Sequence, residues 1–270
     1  MVVAQKMYIT ILVLLILILV MVLQAGHLTR EYIKIGKGGL NIRIAFISDL
    51  HMGLLMVSEK EAARALEEEA PDLLIIAGDI IDKEKHIGEF AKWIKRVSPG
   101  CPVFVTLGNH DHDCFKKYPL SRELFFFNLQ SLGVELLVNS SAIFYKGGKS
   151  INIIGIDDYR CGSPDVKKAF ALKDKTADFT VAVSHNPETA LSIPAKASDL
   201  FLCGHFHGGQ IWMPFSLEYR LLRKEQTSKA GFRKGLHTIN GTPSYISRGI
   251  GNVVFPFRLG SLPEITFIDL

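Results

Sequence analysis

The chain has 270 residues, enough for one large domain or two small ones. Its 48 % apolar and 21 % charged residues, with a formal charge of only +4, exclude a disordered, collagen-like or low-complexity chain. The apolar content is uneven: 21 of the first 26 residues belong to the AVILMFWYC set. The composition therefore describes a greasy tip and a globular body.

Met7 to Leu23 contains one polar residue, Thr10. At about 1.5 Å per residue, a helix over this run with Ala25 and Gly26 approaches the hydrocarbon thickness of a bilayer. The rival is a cleaved signal peptide. The run is longer than the usual apolar signal core, and cleavage after Ala25 would put bulky Leu23 at the third position back. No twin arginine precedes the run, and no cysteine follows it for lipidation. Residues 1–26 are read as an uncleaved anchor, 27–40 as a juxtamembrane linker and 41–270 as the body. Arg30, Lys34, Lys37 and Arg43 follow the run and only Lys6 precedes it, so the charge bias favours a body facing the cytoplasm at the bacterial inner membrane. The four cysteines, Cys101, Cys114, Cys161 and Cys203, show no C-x-x-C spacing and no disulfide framework. Cys101 and Cys203 read as buried free thiols.

Along the body, Ile42 to Ser48 reads as a buried strand. Ser58 to Glu61 is a capping box opening a helix that runs to about Ala70 and ends at Pro71. Leu73 to Ala77 is a second strand, Gly88 to Val97 a helix, and Val103 to Leu107 a third strand. This alternation predicts a largely parallel sheet. Leu120 to Leu132 is helical. Its Leu124-Phe125-Phe126-Phe127 run reads as a helix buried on both sides, with an acyl groove as the alternative. Lys146 to Lys149 reads as a hairpin turn between two strands, and Ser163-Pro164 suits an N-cap and first turn. Strands are predicted at Phe179 to Val183 and Leu200 to Cys203, with a short helix from Pro187 between them. The tail reads as a β meander with a tight turn at Asn240-Gly241 and a last strand at Glu264 to Ile268. The fold class is α/β, built as two packed sheets with helices outside.

The chemistry sits just after the strands, where loops of α/β folds build sites. Asp49 and His51 follow the first strand as D-x-H, and Gly78-Asp79 follows the second. Gly108, Asn109, His110 and Asp111 follow the third. His185 follows the Phe179 strand, and His205 and His207 follow the Leu200 strand as G-H-x-H. Any one of these is more often a turn former or helix cap. Together they place nitrogen and oxygen ligands, and no thiolate, at five equivalent strand ends. Such a set suits two divalent ions forming the clamp for displacement at phosphorus, rather than a structural zinc or iron–sulfur site.

The ordered set D-x-H, G-D, G-N-H-D, lone H and G-H-x-H resembles the calcineurin-like metallophosphoesterase superfamily, from about Arg43 to Leu270. The resemblance implies a two-sheet sandwich flanked by helices in four layers. It implies a first metal held by Asp49, His51 and His207, a second held by Asn109, His185 and His205, and Asp79 bridging both. Mn is the expected metal, with Fe, Zn or Ni as alternatives. His110 is implied to face the substrate rather than a metal, with Asp111 orienting it. The implied reaction is in-line attack on phosphorus by water activated between the metals, with no phosphoenzyme. Lys83 stands where the protein-phosphatase branch carries a phosphate-gripping arginine, which argues against that branch.

Ser184 to Pro187, Gly204 to Gln210, and Ser247 to Gly251 with Arg258 and Pro263-Glu264 resemble a bacterial branch of membrane-tethered or exported phosphodiesterases. That branch includes enzymes similar to UDP-2,3-diacylglucosamine pyrophosphatase, which release UMP and an acylated sugar phosphate in lipid A biosynthesis. The expected partners are a membrane and a lipid or lipid-linked nucleotide substrate. No nucleic acid is expected, since +4 is small for that role, and no protein partner is implied. Arg248 and Arg258 are candidate phosphate grips, with salt bridging as the alternative. Six basic residues between Arg220 and Lys234 suit anionic headgroups or a solvated loop equally. Ile211 to Phe215 reads as a membrane-dipping lip or as core packing, with packing favoured. His112 and Asp113 read as spare polar loop residues. The rival functions are a broad-specificity phosphodiesterase and a scaffold without catalysis.

Overall fold

The computed structural model describes residues 2–36 and 39–270. The chain opens with helix α1 (Val2–Gly26), followed by strand β1 (Thr29–Lys34) and β2 (Arg43–Ser48). Helices and strands then alternate: α2 (Glu59–Glu69), β3 (Leu73–Ala77), α3 (Lys85–Val97) and β4 (Val103–Thr106). Two helices, α4 (Asn109–Lys117) and α5 (Pro119–Ser131), lead to β5 (Val134–Leu136), β6 (Ser140–Lys146) and β7 (Lys149–Gly155). There follow α6 (Val166–Ala171), β8 (Phe179–Val183), a 3-10 turn over Pro187–Leu191, and β9 (Leu200–Cys203). The last part holds α7 (Leu217–Leu222), α8 (Gln226–Lys229), β10 (Gly235–Ile239), β11 (Thr242–Ile246) and β12 (Glu264–Asp269).

Two six-stranded sheets result, ordered β1-β12-β2-β3-β4-β5 and β10-β11-β9-β8-β7-β6. β2 to β5 are parallel, as are β7, β8, β9 and β11. The central strands read as unbroken apolar runs because both of their faces are covered. Phe46, Ile75 and Phe104 of the first sheet meet Ile153, Val181 and Leu202 of the second across the inter-sheet core. On the outer face of the first sheet, Ala45, Ile47 and Ile76 pack against Leu66 of α2, Phe90 and Trp93 of α3 and Phe125 of α5. On the outer face of the second, Ile154, Ala182 and Phe201 pack against Ala169, Ile193 and Tyr219. The order is helix, sheet, sheet, helix, which is the expected four-layer α/β sandwich. It aims the carboxyl ends of β2, β3, β4, β8 and β9 at one rim.

Ser58 caps α2 as expected, its side chain accepting from the Glu61 N–H at 3.1 Å. Other expectations need correction. Residues 29–34, read as linker, form edge strand β1, paired in parallel with β12. Edge placement leaves β1 half-buried, with Arg30 and Tyr32 reaching Glu69 of α2. The tail is not a meander. β10 and β11 form the expected hairpin, but β11 pairs in parallel with β9, and β12 crosses to the other sheet between β1 and β2. Almost every side chain of β12 is buried, as suits a central strand. Ser163 does not cap α6. Its N–H donates to Asp157 at 2.8 Å, and Asp165 caps the helix through the Lys168 N–H. α5 is not buried on both sides: Phe125 is in the core, while Leu124 and Phe127 are exposed. Cys203 is buried, and Cys101 only partly so.

α1 is long and apolar enough to cross a membrane. Its side chains are exposed over most of its length, and only the end around Met21 to Ala25 rests on the body.

Candidate metal centre

Asp49, His51, Asp79, Asn109, His185, His205 and His207 all lie buried at the rim where the two sheets meet. The backbone is bent to bring them there. Asp49, His51, Asp79, His205 and His207 all have positive φ, from 42° to 73°. Side chains other than glycine adopt this conformation at a cost, and it persists where the surrounding fold over-determines it. Two glycines permit the close approach. A Cβ on Gly108 would overlap the Asp79 carboxylate, and one on Gly204 would overlap that of Asp49.

The side chains form two main clusters, in each of which the ligand atoms lie within 4.8 Å of one another: Asp49 with His51 and His207, and Asp79 with His185 and His205. A third grouping of His51, Asp79 and His110 joins them. His185 Nε2 lies 3.0 Å from Asp79 Oδ2, and His207 Nε2 lies 3.3 Å from Asp49 Oδ1. His51 Nε2, Asn109 Oδ1 and His207 Nδ1 are buried with no hydrogen-bond partner. Buried polar atoms left unpaired are costly, and their presence among these histidines and carboxylates fits a site built for cations. The donor set, all nitrogen and oxygen, suits hard to borderline divalent ions.

The outer atoms of these ligands are held. His185 Nδ1 lies 3.0 Å from the Ala77 carbonyl, which fixes Nδ1 as the protonated nitrogen and leaves Nε2 for the centre. His205 Nε2 lies 3.1 Å from Glu225 Oε1, which directs Nδ1 inward. Asp49 Oδ2 accepts from the Ser48 hydroxyl at 2.6 Å, and the His205 N–H reaches the same carboxylate at 3.1 Å. Asp79 Oδ1 accepts from the His110 N–H at the start of α4, at 2.8 Å, so Oδ2 faces the histidines. Burial alone would raise the Asp79 carboxyl. The charges of His185, His51 and His110 outweigh it and hold the group well below the usual carboxylate range.

His110 stands at the rim and is partly exposed. Its Nδ1 lies 2.8 Å from Asp82 Oδ1, which is also 3.0 Å from His51 Nδ1. One carboxylate oxygen therefore holds both His51 and His110. Burial would lower the His110 imidazole, but the hydrogen bond to Asp82 and the Asp79 charge raise it to about 9. The resemblance implied this orienting role for Asp111, and that is corrected. Asp111 is fully buried and turned back into the fold, where its Oδ1 accepts from the N–H groups of Ile80 and Ile81 and its Oδ2 from that of Gly108. Burial, then the Asp79 charge, push its carboxyl up to about 6. Asp111 thus braces the Asp79 loop against the Gly108 loop. Asp111→Ala would strand three buried donors, at about 1–3 kcal/mol each. The expected result is a lowered Tm that a thermal melt reads directly; an unchanged Tm with a lost rate would return Asp111 to the orienting role.

The two candidate phosphate grips are also corrected. Arg258 is wholly buried and bonds inward to the carbonyls of Arg248, Gly249, Gly251 and Ser261 and to Asn252. Arg248 is paired with Glu264 and Glu31, each at 2.6 Å. Both guanidiniums are spent on the fold, because the loop after β11 turns carbonyls and a carboxylate inward that need donors. The guanidinium that does reach the centre is Arg223, whose Nη2 donates to the His205 carbonyl at 2.9 Å while its plane lies over Phe206. His112 is not a spare residue: its Nε2 lies 2.6 Å from Asp157 Oδ1. That pair borders a cavity of about 970 Å³ lined also by Arg122, Arg160 and Lys168. Sequence reasoning missed Asp82, Glu225 and Asp157 as site residues, and read Arg223 only as one of the six basic residues between Arg220 and Lys234. Asp82 had a usable signal, a second carboxylate three residues past Asp79. Asp157 had the strand-end signal, since it follows β7 by two residues; Glu225 had none, since it reaches His205 from a later loop.

The fold and the site define a metal-dependent hydrolase of phosphate esters, with its ligands at the carboxyl ends of strands from two facing sheets. The calcineurin-like phosphoesterase family model matches residues 42–209, and the chain belongs to that family. It is 29 % identical over 233 residues to the uncharacterized metallophosphoesterase YkoQ of Bacillus subtilis, covering 84 % of this chain and 82 % of that one. It is 32 % identical over 236 residues to the B. subtilis protein YpbG, covering 87 % and 83 %. It is 26 % identical over 238 residues to the phosphodiesterase YaeI of Escherichia coli, covering 84 % and 82 %.

Proposed function

We propose that the chain hydrolyses a phosphodiester or pyrophosphate bond in a lipid-borne substrate while anchored beside it by residues 1–26. The observation that carries the reading is the shared carboxylate. Asp79 sits between two ligand clusters, with His110 poised at the mouth. Two divalent ions held there, Mn by preference, would supply an activated water and neutralise the charge on the phosphate oxygens. Asp49, His51 and His207 would hold one, and Asn109, His185 and His205 the other. His110, kept protonated by Asp82, gives its Nε2 proton to the departing oxygen. Arg223 is placed to keep anionic charge near the His205 side. The cavity beside His112, with Arg122, Arg160 and Lys168 on its wall, suits the remaining anionic part of the substrate.

The similarity to a phosphodiesterase supports a diester over a monoester. The apolar α1 supports a substrate that stays in a membrane, and the flanking basic residues support a body facing the cytoplasm. UDP-2,3-diacylglucosamine is the substrate of choice for the test. The purified full chain, loaded with Mn²⁺, is assayed with that lipid and with bis(p-nitrophenyl) phosphate. Turnover of the lipid to UMP is expected. Turnover of the model diester alone would leave a phosphodiesterase of other specificity. Turnover of neither, with metal bound, would contradict both.

A further inference from the structure

The stretch after the last metal-binding motif does not pack into the core. Trp212 is 57 % exposed, Phe215 84 %, Leu221 73 % and Leu222 71 %, and Val254 and Phe255 are exposed beside them. That corrects the expectation of core packing for Ile211 to Phe215. The backbone ties the patch to the end of α1. The Trp212 N–H donates to the Leu259 carbonyl at 2.8 Å, the Arg258 N–H to the Met21 carbonyl at 3.0 Å, and the Gly260 N–H to Gln24 Oε1 at 2.8 Å. Gln210 binds the strip on its other side, its amide donating to the Val253 and Phe255 carbonyls. The same strip is tied to the metal centre, because Ser261 Oγ donates to the His207 carbonyl at 2.8 Å. α7 turns Glu218 and Tyr219 inward and Leu221 and Leu222 outward, and the cations Arg220 and Lys224 flank them.

We propose that Trp212, Phe215, Leu221, Leu222, Val254 and Phe255 form a lip that enters the headgroup and upper acyl region of a phospholipid bilayer, seating the body on the surface from which α1 emerges. Several observations choose lipid as the occupant. The patch is continuous with the end of a helix apolar enough to span a bilayer. It mixes an exposed indole with leucine and phenylalanine, as interfacial segments do. Its rim is basic, which favours an anionic leaflet. An apolar surface of this kind is rare on a free soluble body. The lip rests on the reading of α1 as a membrane span. It extends that reading, because a single helix alone would leave the body free to swing, whereas helix and lip together hold the His207 loop close to the lipid surface.

The chain has two tryptophans, Trp93 and Trp212, and Trp93 is buried in the core. The full chain is therefore reconstituted into vesicles of phosphatidylcholine and phosphatidylglycerol whose acyl chains carry bromine near the headgroup end. Loss of most of the Trp212 emission is expected, at a depth of about 5–10 Å. The Trp212→Phe chain should keep its remaining Trp93 emission unquenched. Alkaline carbonate extraction of the same vesicles reports on α1 separately. A chain that resists extraction while Trp212 stays unquenched would overturn the lip and leave the anchor standing; if that chain also cross-links to itself through the patch, a second copy is the occupant instead. A chain released by carbonate would overturn the anchor, and the lip with it.

Discussion

Replacing Asp79 by Asn is expected to lower kcat/KM by at least about 10³-fold, some 4 kcal/mol of transition-state stabilisation. The change is nearly isosteric, so the bend at Gly78-Asp79 survives. What is lost is the negative charge shared by the two ligand clusters. His185 Nε2, 3.0 Å from Asp79 Oδ2, and His51 Nε2, at 3.6 Å, would then face a neutral amide. A divalent ion held at either cluster would then face a site poorer by one anionic ligand. Metal analysis of the purified variant should show reduced occupancy of both positions, while circular dichroism stays native. Wild-type turnover with Asn at this position would refute a shared carboxylate.

His110→Ala should behave differently. On the proposed reading the imidazole faces the substrate and holds neither ion, so metal content should be unchanged while kcat falls by about 10²–10⁴-fold. The sign of the pH dependence follows from the same contact. An acid catalyst works in its protonated form, so the rate should fall as pH rises through the His110 pKa. Asp82 raises that pKa by stabilising the imidazolium. Asp82→Asn should therefore move the alkaline limb of the kcat/KM profile to lower pH, by more than its effect on Tm would explain. An unmoved limb would show that Asp82 serves His51 alone. Loss of metal from His110→Ala would show the ring to be a ligand, as its grouping with His51 and Asp79 allows by distance.

The candidate ligand cluster was legible because it follows strands. Buried parallel strands announce themselves as apolar runs, and their carboxyl ends are where an α/β fold can put chemistry. Asp49, Asp79, Asn109, His185, His205 and His207 needed only that rule and the family resemblance. The groups that tune them were not legible, for physical reasons. Asp82 is presented to His110 only because the Gly78–Asp82 turn and the Gly108–Asp111 turn lie side by side, a tertiary juxtaposition. Asp111 reads as a catalytic partner by adjacency to His110, yet helix α4 turns its side chain inward to accept three backbone N–H groups. Arg258 reads as a phosphate grip or a salt-bridge partner, yet it is enclosed because the loop it closes offers five carbonyl and amide acceptors. Strand β1 hid in a stretch of mixed polarity because edge strands bury little. Trp212 and Phe215 read as core in the sequence because, within a chain, large apolar residues most often are.

The central claim is that two ions act together on one phosphorus. The direct measurement is turnover of bis(p-nitrophenyl) phosphate by the metal-free full chain as Mn²⁺ is added back, with bound metal counted at each point. Activity should remain near zero through the first equivalent bound to the tighter cluster and rise with the second, reaching its maximum at two per chain. Full activity at one bound ion, or at none, would contradict the account.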